Sequence, residues 1–267
     1  MQQSFGRALS KLFLMAILST YTATVLAAAP NFQNLTADQV KGVMKDFASS
    51  MYPTTVTGAS SLGTVFGFQV GVIGGASESP TIDSLVSNDV SKMPKGAFIG
   101  VVTFPFGLGL EAGLMPVTVG DFEYGYTHIG GRWTITKLLN IPILELKLKF
   151  DTVNADIKFK QEVSGVPVNV TYDNKATAYS LTAGINLLVV EPYVGIGRIE
   201  SKSSLKATGS ATIFDSSIPV GANENVKSKD TYTFLGVDVG LLFFKLGAEY
   251  AKVYGNSVYT GKLAFGF

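Results

Sequence analysis

The sequence predicts an all-β fold: a transmembrane antiparallel β-barrel of about ten strands (eight to twelve), with one amphipathic helix ahead of it. Three observations carry that prediction. Hydrophobic residues fill 46% of the 267 positions and charged residues only 15%, against about 25% in soluble proteins. After the first 30 residues there is no unbroken run of 18 apolar positions, which disfavours membrane-spanning helices. From Ser61 onward apolar residues recur at every second place, the period of a strand whose faces see different surroundings. The chain even ends this way. In YTGKLAFGF, Tyr259, Leu263, Phe265 and Phe267 share one parity, and Thr260, Lys262, Ala264 and Gly266 share the other. An aromatic last residue is unusual where termini fray into water.

The first 27 residues read as a secretory signal peptide. Arg7 and Lys11 give a basic start, LFLMAIL (12–18) opens an apolar stretch, and Val25-Leu26-Ala27 is an A-x-A-like site cut after Ala27. Its removal leaves 19 basic against 20 acidic residues, so nothing points to nucleic acid. Cysteine is absent, which excludes disulfides and thiolate metal sites. Residues 28–60 hold one helix, over LTADQVKGVMKDFASSM. Thr36 and Gln39 form a capping box. Val40, Val43, Met44, Phe47 and Met51 line one face, which must bury against something; a periplasmic plug at the barrel mouth is expected.

Residues 61–267 then divide into strands. In the first, Phe66, Phe68, Val70 and Val72, with Leu62 before them, alternate with Gly63, Gly67, Gln69 and Gly71, lipid-out and small-or-polar-in. The second, 97–106, is apolar on both faces. The third points Leu108, Leu110, Ala112 and Leu114 outward and Glu111 inward. The fourth, 122–134, offers Phe122, Tyr124 and Tyr126 to an aromatic girdle facing lipid, with His128 on the same parity. The fifth is the clearest: Leu144, Leu146, Leu148 and Phe150 alternate with Glu145, Lys147, Lys149 and Asp151. It runs to about Lys160, longer than the ~9–11 residues a crossing needs, so it should project. The sixth, 177–189, ends at a turn on Glu191-Pro192, and the seventh follows from Tyr193. The eighth points Asp238 inward, the ninth Lys245 and Glu249, and the tenth closes the chain. Loops after odd strands are sometimes long (77–95, 161–177, 207–229), and turns after even strands are mostly short. That is the bacterial pattern, with short turns and both termini in the periplasm.

The inward charges are Glu111, Glu145, Asp151, Asp238 and Glu249 against Lys147, Lys149, Lys245 and Lys262. In a narrow lumen such charges pair, because an unpaired buried charge is expensive. Ten strands sit nearer the small filled barrels than the open porins. The expected role is therefore a structural barrel or small passive channel. A transporter for hydrophobic small molecules, gated by the helix face Val40, Val43, Met44 and Phe47, is the alternative. An outer-membrane enzyme ranks third. His128 is the sole histidine and no G-x-S-x-G surrounds a serine, so no catalytic residues are assigned. One histidine, no cysteine and no EF-hand loop give no metal site; Asp173-Asn174 reads as a turn. Gly195-Ile196-Gly197 lacks a dinucleotide context, and no cofactor is expected.

The signal peptide, the alternating strands and the Leu263-x-Phe265-x-Phe267 ending together resemble the Gram-negative outer-membrane β-barrel proteins. The resemblance implies outer-membrane localisation after Sec-type export. It also implies lipid contact and reading of the last strand (Tyr259, Leu263, Phe265, Phe267) by the barrel-assembly machinery. The order of helix, Gly-rich first strand and about ten strands is similar to an uncharacterised outer-membrane family of unknown function. More loosely, it is similar to the long-chain fatty acid transporter barrels, without their Asn-Pro-Ala motif. A conducting lumen would add a small hydrophobic or ionic solute as partner.

Overall fold

The computed structural model describes residues 32–63, 65–86, 91–119, 121–139, 143–209, 213–214 and 223–267. The signal peptide and its cleavage site lie outside them. Helix α1 (Ala37–Ser50) comes first. Ten strands follow: β1 (Gly67–Glu78), β2 (Lys92–Thr103), β3 (Leu108–Val119), β4 (Phe122–Thr134), β5 (Leu144–Val163), β6 (Val166–Ile185), β7 (Val190–Gly209), β8 (Asn223–Leu241), β9 (Phe244–Val253) and β10 (Asn256–Gly266). Short helices α2 (Pro80–Leu85) and α3 (Thr136–Leu139) sit in connections. Each strand pairs antiparallel with its sequence neighbour, and β1 pairs with β10, so the sheet closes into a barrel. The terminal residue takes part in the closure. Phe68 and Phe267 exchange both backbone hydrogen bonds (2.9 and 3.0 Å), and their rings meet edge-on at 4.6 Å.

One end of the barrel, here the near end, carries the start of β1, the end of β10 and the even-to-odd turns. Around this half the outward side chains are apolar and exposed, among them Val70, Phe98, Leu110, Phe150, Leu181, Ile196, Leu235 and Phe265. This is the belt of a barrel that crosses a membrane. It reaches down to the turn tips, where Phe106, Leu188 and Leu242 are exposed.

Four strands run on past the belt. β5, β6 and β7 are 20 residues long and β8 is 19, against 10 to 13 in the other six. Along β5 the chemistry of the two faces inverts near Thr152. Below it Phe150 points out and Lys149 in. Above it Asn154, Asp156, Lys158 and Lys160 face solvent or part-face it, while Val153, Ala155, Ile157 and Phe159 are buried. On β6, Val168, Val170 and Tyr172 continue that buried apolar face. A half-wall of four tall strands would leave this face in water, and α1 covers it.

That explains why α1 is where it is. The capping box holds its start, with the Thr36 hydroxyl accepting from the Gln39 backbone and the Gln39 side chain accepting from the Thr36 backbone. Val40, Val43, Met44, Phe47 and Met51 are buried, with the Phe47 ring 5.0 Å from that of Tyr172. The helix spans the far mouth. Tyr172 donates to the Met44 carbonyl (3.2 Å), and the Ser49 and Ser77 hydroxyls bond at 2.7 Å. Asp46 accepts from the backbones of Thr81 and Ile82 (2.8 and 2.9 Å) and from Asn256 (2.9 Å).

Several expectations change. The helix sits at the end opposite both the start of β1 and Phe267, so it does not share an end with the C-terminus as expected; the uncovered face of β5–β8 draws it to the far mouth. Segment 161–177 is not a loop but the continuation of β5 and β6, joined at Ser164-Gly165, where both residues have positive φ (52° and 78°). Asp173-Asn174 therefore lies inside a strand rather than in a turn. Glu191-Pro192 lies inside β7, and the turn falls at 186–189. Loops 77–95 and 207–229 shrink as β2 starts at Lys92 and β8 at Asn223. Leu62 precedes β1 and is buried instead of facing lipid.

Candidate functional site: the threaded lumen

After α1 the chain does not leave the barrel. Residues 52–63 pass down the lumen from the far mouth to the near end, and only then does β1 begin. The run PTTVTGASS (53–61) has small and hydroxyl side chains, no helical or strand period, and many free backbone groups. Every buried backbone group needs a partner, and the lumenal side chains supply them.

The anchoring follows the thread downward. The Lys95 ammonium of β2 donates to the Tyr52 carbonyl. Thr55 donates its hydroxyl to Glu111 of β3 (2.8 Å). Lys147 of β5 donates to the carbonyls of Thr57 (2.7 Å) and Gly58 (2.9 Å). Arg132 of β4 donates to those of Gly58 (3.2 Å) and Ser60 (2.7 Å). Glu191 of β7 accepts from the backbones of Ala59 (2.6 Å) and Ser60 (3.0 Å). Thr134 donates to the Ala59 carbonyl (2.7 Å) and Thr103 to that of Leu62. Gly58 lets Glu191 come this close, because a Cβ there would lie 2.4 Å from the Glu191 carboxyl carbon and push that side chain aside.

Beneath the thread lies an ion-pair network. Glu111 binds Arg132 (3.0 Å) and Lys149 (2.9 Å), and Lys149 reaches Asp151 (3.3 Å). All four side chains are buried or nearly so. Asp238 pairs with Lys262 (2.8 Å) and accepts from the Gly58 backbone (3.4 Å). Glu249 accepts from Tyr193 (3.0 Å).

Of the nine charges expected in the lumen, Glu111, Lys147, Lys149, Asp151, Asp238, Glu249 and Lys262 therefore face the thread or its supporting network. Glu145 is half-buried and bonds locally to Thr136. Lys245 is half-buried beside Gly240 and makes no ion pair among the described residues. The plug residues Val40, Val43, Met44 and Phe47 come together in the far chamber, away from these charges. Tyr259, Phe265 and Phe267 face outward and are exposed, with Leu263 half-buried beside them.

β4 corrects another expectation. Tyr124, Tyr126 and His128 face inward and are buried, not toward lipid; Ile129, Gly131 and Trp133 face out. The two tyrosines line the far chamber, where the inward face is apolar. Arg132 shares their parity and is buried with them. His128, Arg132 and Thr134 together, set against Ile129 and Trp133, were the signal that this parity faces inward. Glu191 went unseen because Glu-Pro reads as a turn.

Glu111, His128 and Asp151 bring ligand atoms within 4.8 Å of one another. The position a cation would take is already held by Lys149, and both Glu111 oxygens are engaged by Thr55, Arg132 and Lys149. His128 Nδ1 meets the Tyr126 hydroxyl at 3.1 Å, and its Nε2 stands 3.9 Å from Asp151, too far for a hydrogen bond. The arrangement clamps a polypeptide, and the hydroxyl that His128 meets is that of Tyr126.

No protein-family model matches the chain, and no curated protein matches it significantly. Among solved structures, it is similar to the translocator domain of the autotransporter NalP from Neisseria meningitidis, at 13% identity, TM-score 0.45, 86% of this chain and 95% of that one. It is also similar to Ail, the attachment invasion locus protein of Yersinia pestis, at 12% identity and TM-score 0.37, over 77% and 100% of the two chains. The Escherichia coli outer-membrane protease OmpT gives 12% identity and TM-score 0.39, over 76% and 94%. Likenesses this distant speak at most to general fold, and the ten-stranded closure rests on the strand pairing itself.

Proposed function

We propose that this protein is a structural outer-membrane barrel sealed by its own N-terminal segment, and not an open diffusion channel. The near end, with its short turns, faces the periplasm and the tall strands face the outside. One observation supports the sealed reading above all. Residues 52–63 fill the lumen and are hydrogen-bonded to side chains of β2, β3, β4, β5, β7 and β8. One cavity beside the thread, lined by Tyr52, Thr55, Thr57, Lys147 and Glu249, measures about 10 Å³, room for one water at most. A barrel that held a passage for solutes would not spend its lumenal charges on its own backbone. With His128 facing Tyr126 and Asp151, we assign the protein no enzymatic role.

The test is single-channel conductance in a planar bilayer, for the refolded mature protein and a variant lacking residues 32–60. The intact protein should be silent and the truncated one should conduct. Steady conductance from the intact protein would sink the sealed reading and restore the passive channel. Conductance evoked in the intact protein only by an added long-chain fatty acid would favour the hydrophobic transporter, with α1 as its gate.

A further inference from the structure

The outward wall of β3–β8 is not a uniform convex belt. One cross-strand row runs Leu110, Gly131, Phe150, Tyr179, Arg198, Thr231, each residue directly opposite the next. The row below it carries Leu108, Trp133, Leu148, Leu181 and Ile196. Between them lies an apolar groove of about 890 Å³ on the lipid-facing surface. Gly131 opens it, since a Cβ placed there would meet nothing within 4 Å. Arg198 stands at its upper end, half-exposed, beside Tyr179, with its Nε 3.8 Å from Glu200.

Above Arg198 the wall carries a row of lysines, with Asp156 and Asp173 in the row beyond it. The next row holds the Glu200–Lys229 pair at 3.0 Å. The row after that places Lys175, Lys202 and Lys227 directly opposite one another on β6, β7 and β8. All three are exposed, and none makes an ion pair among the described residues. Like charges directly opposite on neighbouring strands destabilise a sheet. Lys227 lies on the stretch of β8 that β9 does not pair, an edge that a lysine can guard, but Lys175 and Lys202 lie on β6 and β7, which are paired on both sides, so edge protection does not account for them.

The two features stack at the membrane boundary. Outward apolar side chains end at Tyr179 on β6, Ile196 on β7 and Leu235 on β8. Lys175 lies four residues beyond Tyr179, about 13 Å along the tilted strand. A lysine reaches back from that height by laying its stem along the sheet. An apolar slot in the hydrocarbon layer, with Arg198 at its upper end and lysines two rows above at headgroup level, matches a molecule that is itself apolar below and anionic above.

We propose that this wall binds a phosphate-bearing lipid, with an acyl chain in the groove and its phosphate on Arg198 and the Lys175–Lys202–Lys227 ladder. The inference rests on the outer wall alone and stands whether or not the lumen is sealed. The test is native mass spectrometry of the purified mature protein in detergent, titrated with dioleoyl phosphatidic acid, dioleoyl phosphatidylcholine or soluble inositol hexakisphosphate. One retained phosphatidic acid per barrel is expected, with no comparable phosphatidylcholine adduct. Replacing the three lysines by Gln should weaken phosphatidic acid binding by at least about tenfold. Gly131→Leu, which fills the groove and leaves every charge in place, should weaken it too. Resistance to unfolding in dodecyl sulfate before heating checks that each variant is a closed barrel. Phosphatidic acid binding that ignores both variants overturns the proposal. So does inositol hexakisphosphate binding as tightly as the lipid and unaffected by Gly131→Leu, which would make the ladder a site for free polyanions.

Discussion

At the residue scale, the lumen turns on Glu111. Its carboxylate answers Arg132, Lys149 and the Thr55 hydroxyl in a space without bulk water. Removing one partner of a buried pair leaves uncompensated charge, which costs about 3–5 kcal/mol. Glu111→Ala should therefore lower the unfolding free energy of the barrel by that amount, taken from the denaturant transition read by Trp133 fluorescence. A loss under about 1 kcal/mol, the level of an exposed pair, would mean water reaches the network. Asp46 gives a pH dependence. Burial raises its carboxyl above the usual 3.8, against the hydrogen bonds from Ile82, Asn256 and Thr81 that pull it down. The folded chain thus keeps this proton where the unfolded chain has lost it. The contribution is full below the unfolded value and lost as pH rises through the raised folded value. The melting midpoint should fall from acid toward neutral pH more steeply in the native protein than in Asp46→Asn, and equal slopes would refute the assignment.

At the element scale, β10 does two things. It closes the barrel on β1 through the Phe68–Phe267 exchange, and it carries the outward row Tyr259, Leu263, Phe265, Phe267. We take that row as the signal read by the barrel-assembly machinery. Phe267→Asp should reduce the folded protein recovered in outer-membrane fractions, while Phe68→Ala, which removes the same ring contact, should reduce it less. Equal defects would reduce Phe267 to a packing residue. Helix α1 follows a different logic. Its amphipathic face was plain in the spacing of Val40, Val43, Met44 and Phe47, but a spacing names no partner. The partner is the apolar inner face of the tall strands, where Tyr172 meets Phe47.

For the whole molecule, the far-mouth position of α1 sets the topology of the chain. Gln161 of β5 binds both backbone groups of Phe32 (3.0 and 2.7 Å), and Leu35 donates to the Ile213 carbonyl (2.8 Å). The described chain thus begins at the far end and passes inward through the lumen before the first strand. Asp38 lies on the exposed side of α1, its side chain 93% accessible. The sequence has no cysteine, so Asp38→Cys creates a unique label site. A membrane-impermeant maleimide should modify it on intact cells. Labelling only after the outer membrane is breached would return the helix to the periplasm.

Local spacing alone carried the period-two strands, their approximate count, the closing aromatic and the capped helix, and strand pairing settled the count at ten. Leu144 to Asp151 even declared which residues face lipid. Spacing did not determine which face of β4 was which. Periodicity separates two faces but does not say which is wet, and along β5 the answer reverses at Thr152. Nor did it reveal the thread. PTTVTGASS has no period, and its worth lies in backbone groups, which every sequence has. Only the closed barrel, by bringing Lys147, Arg132 and Glu191 from distant strands around one narrow axis, gave those groups partners and turned a connector into the seal.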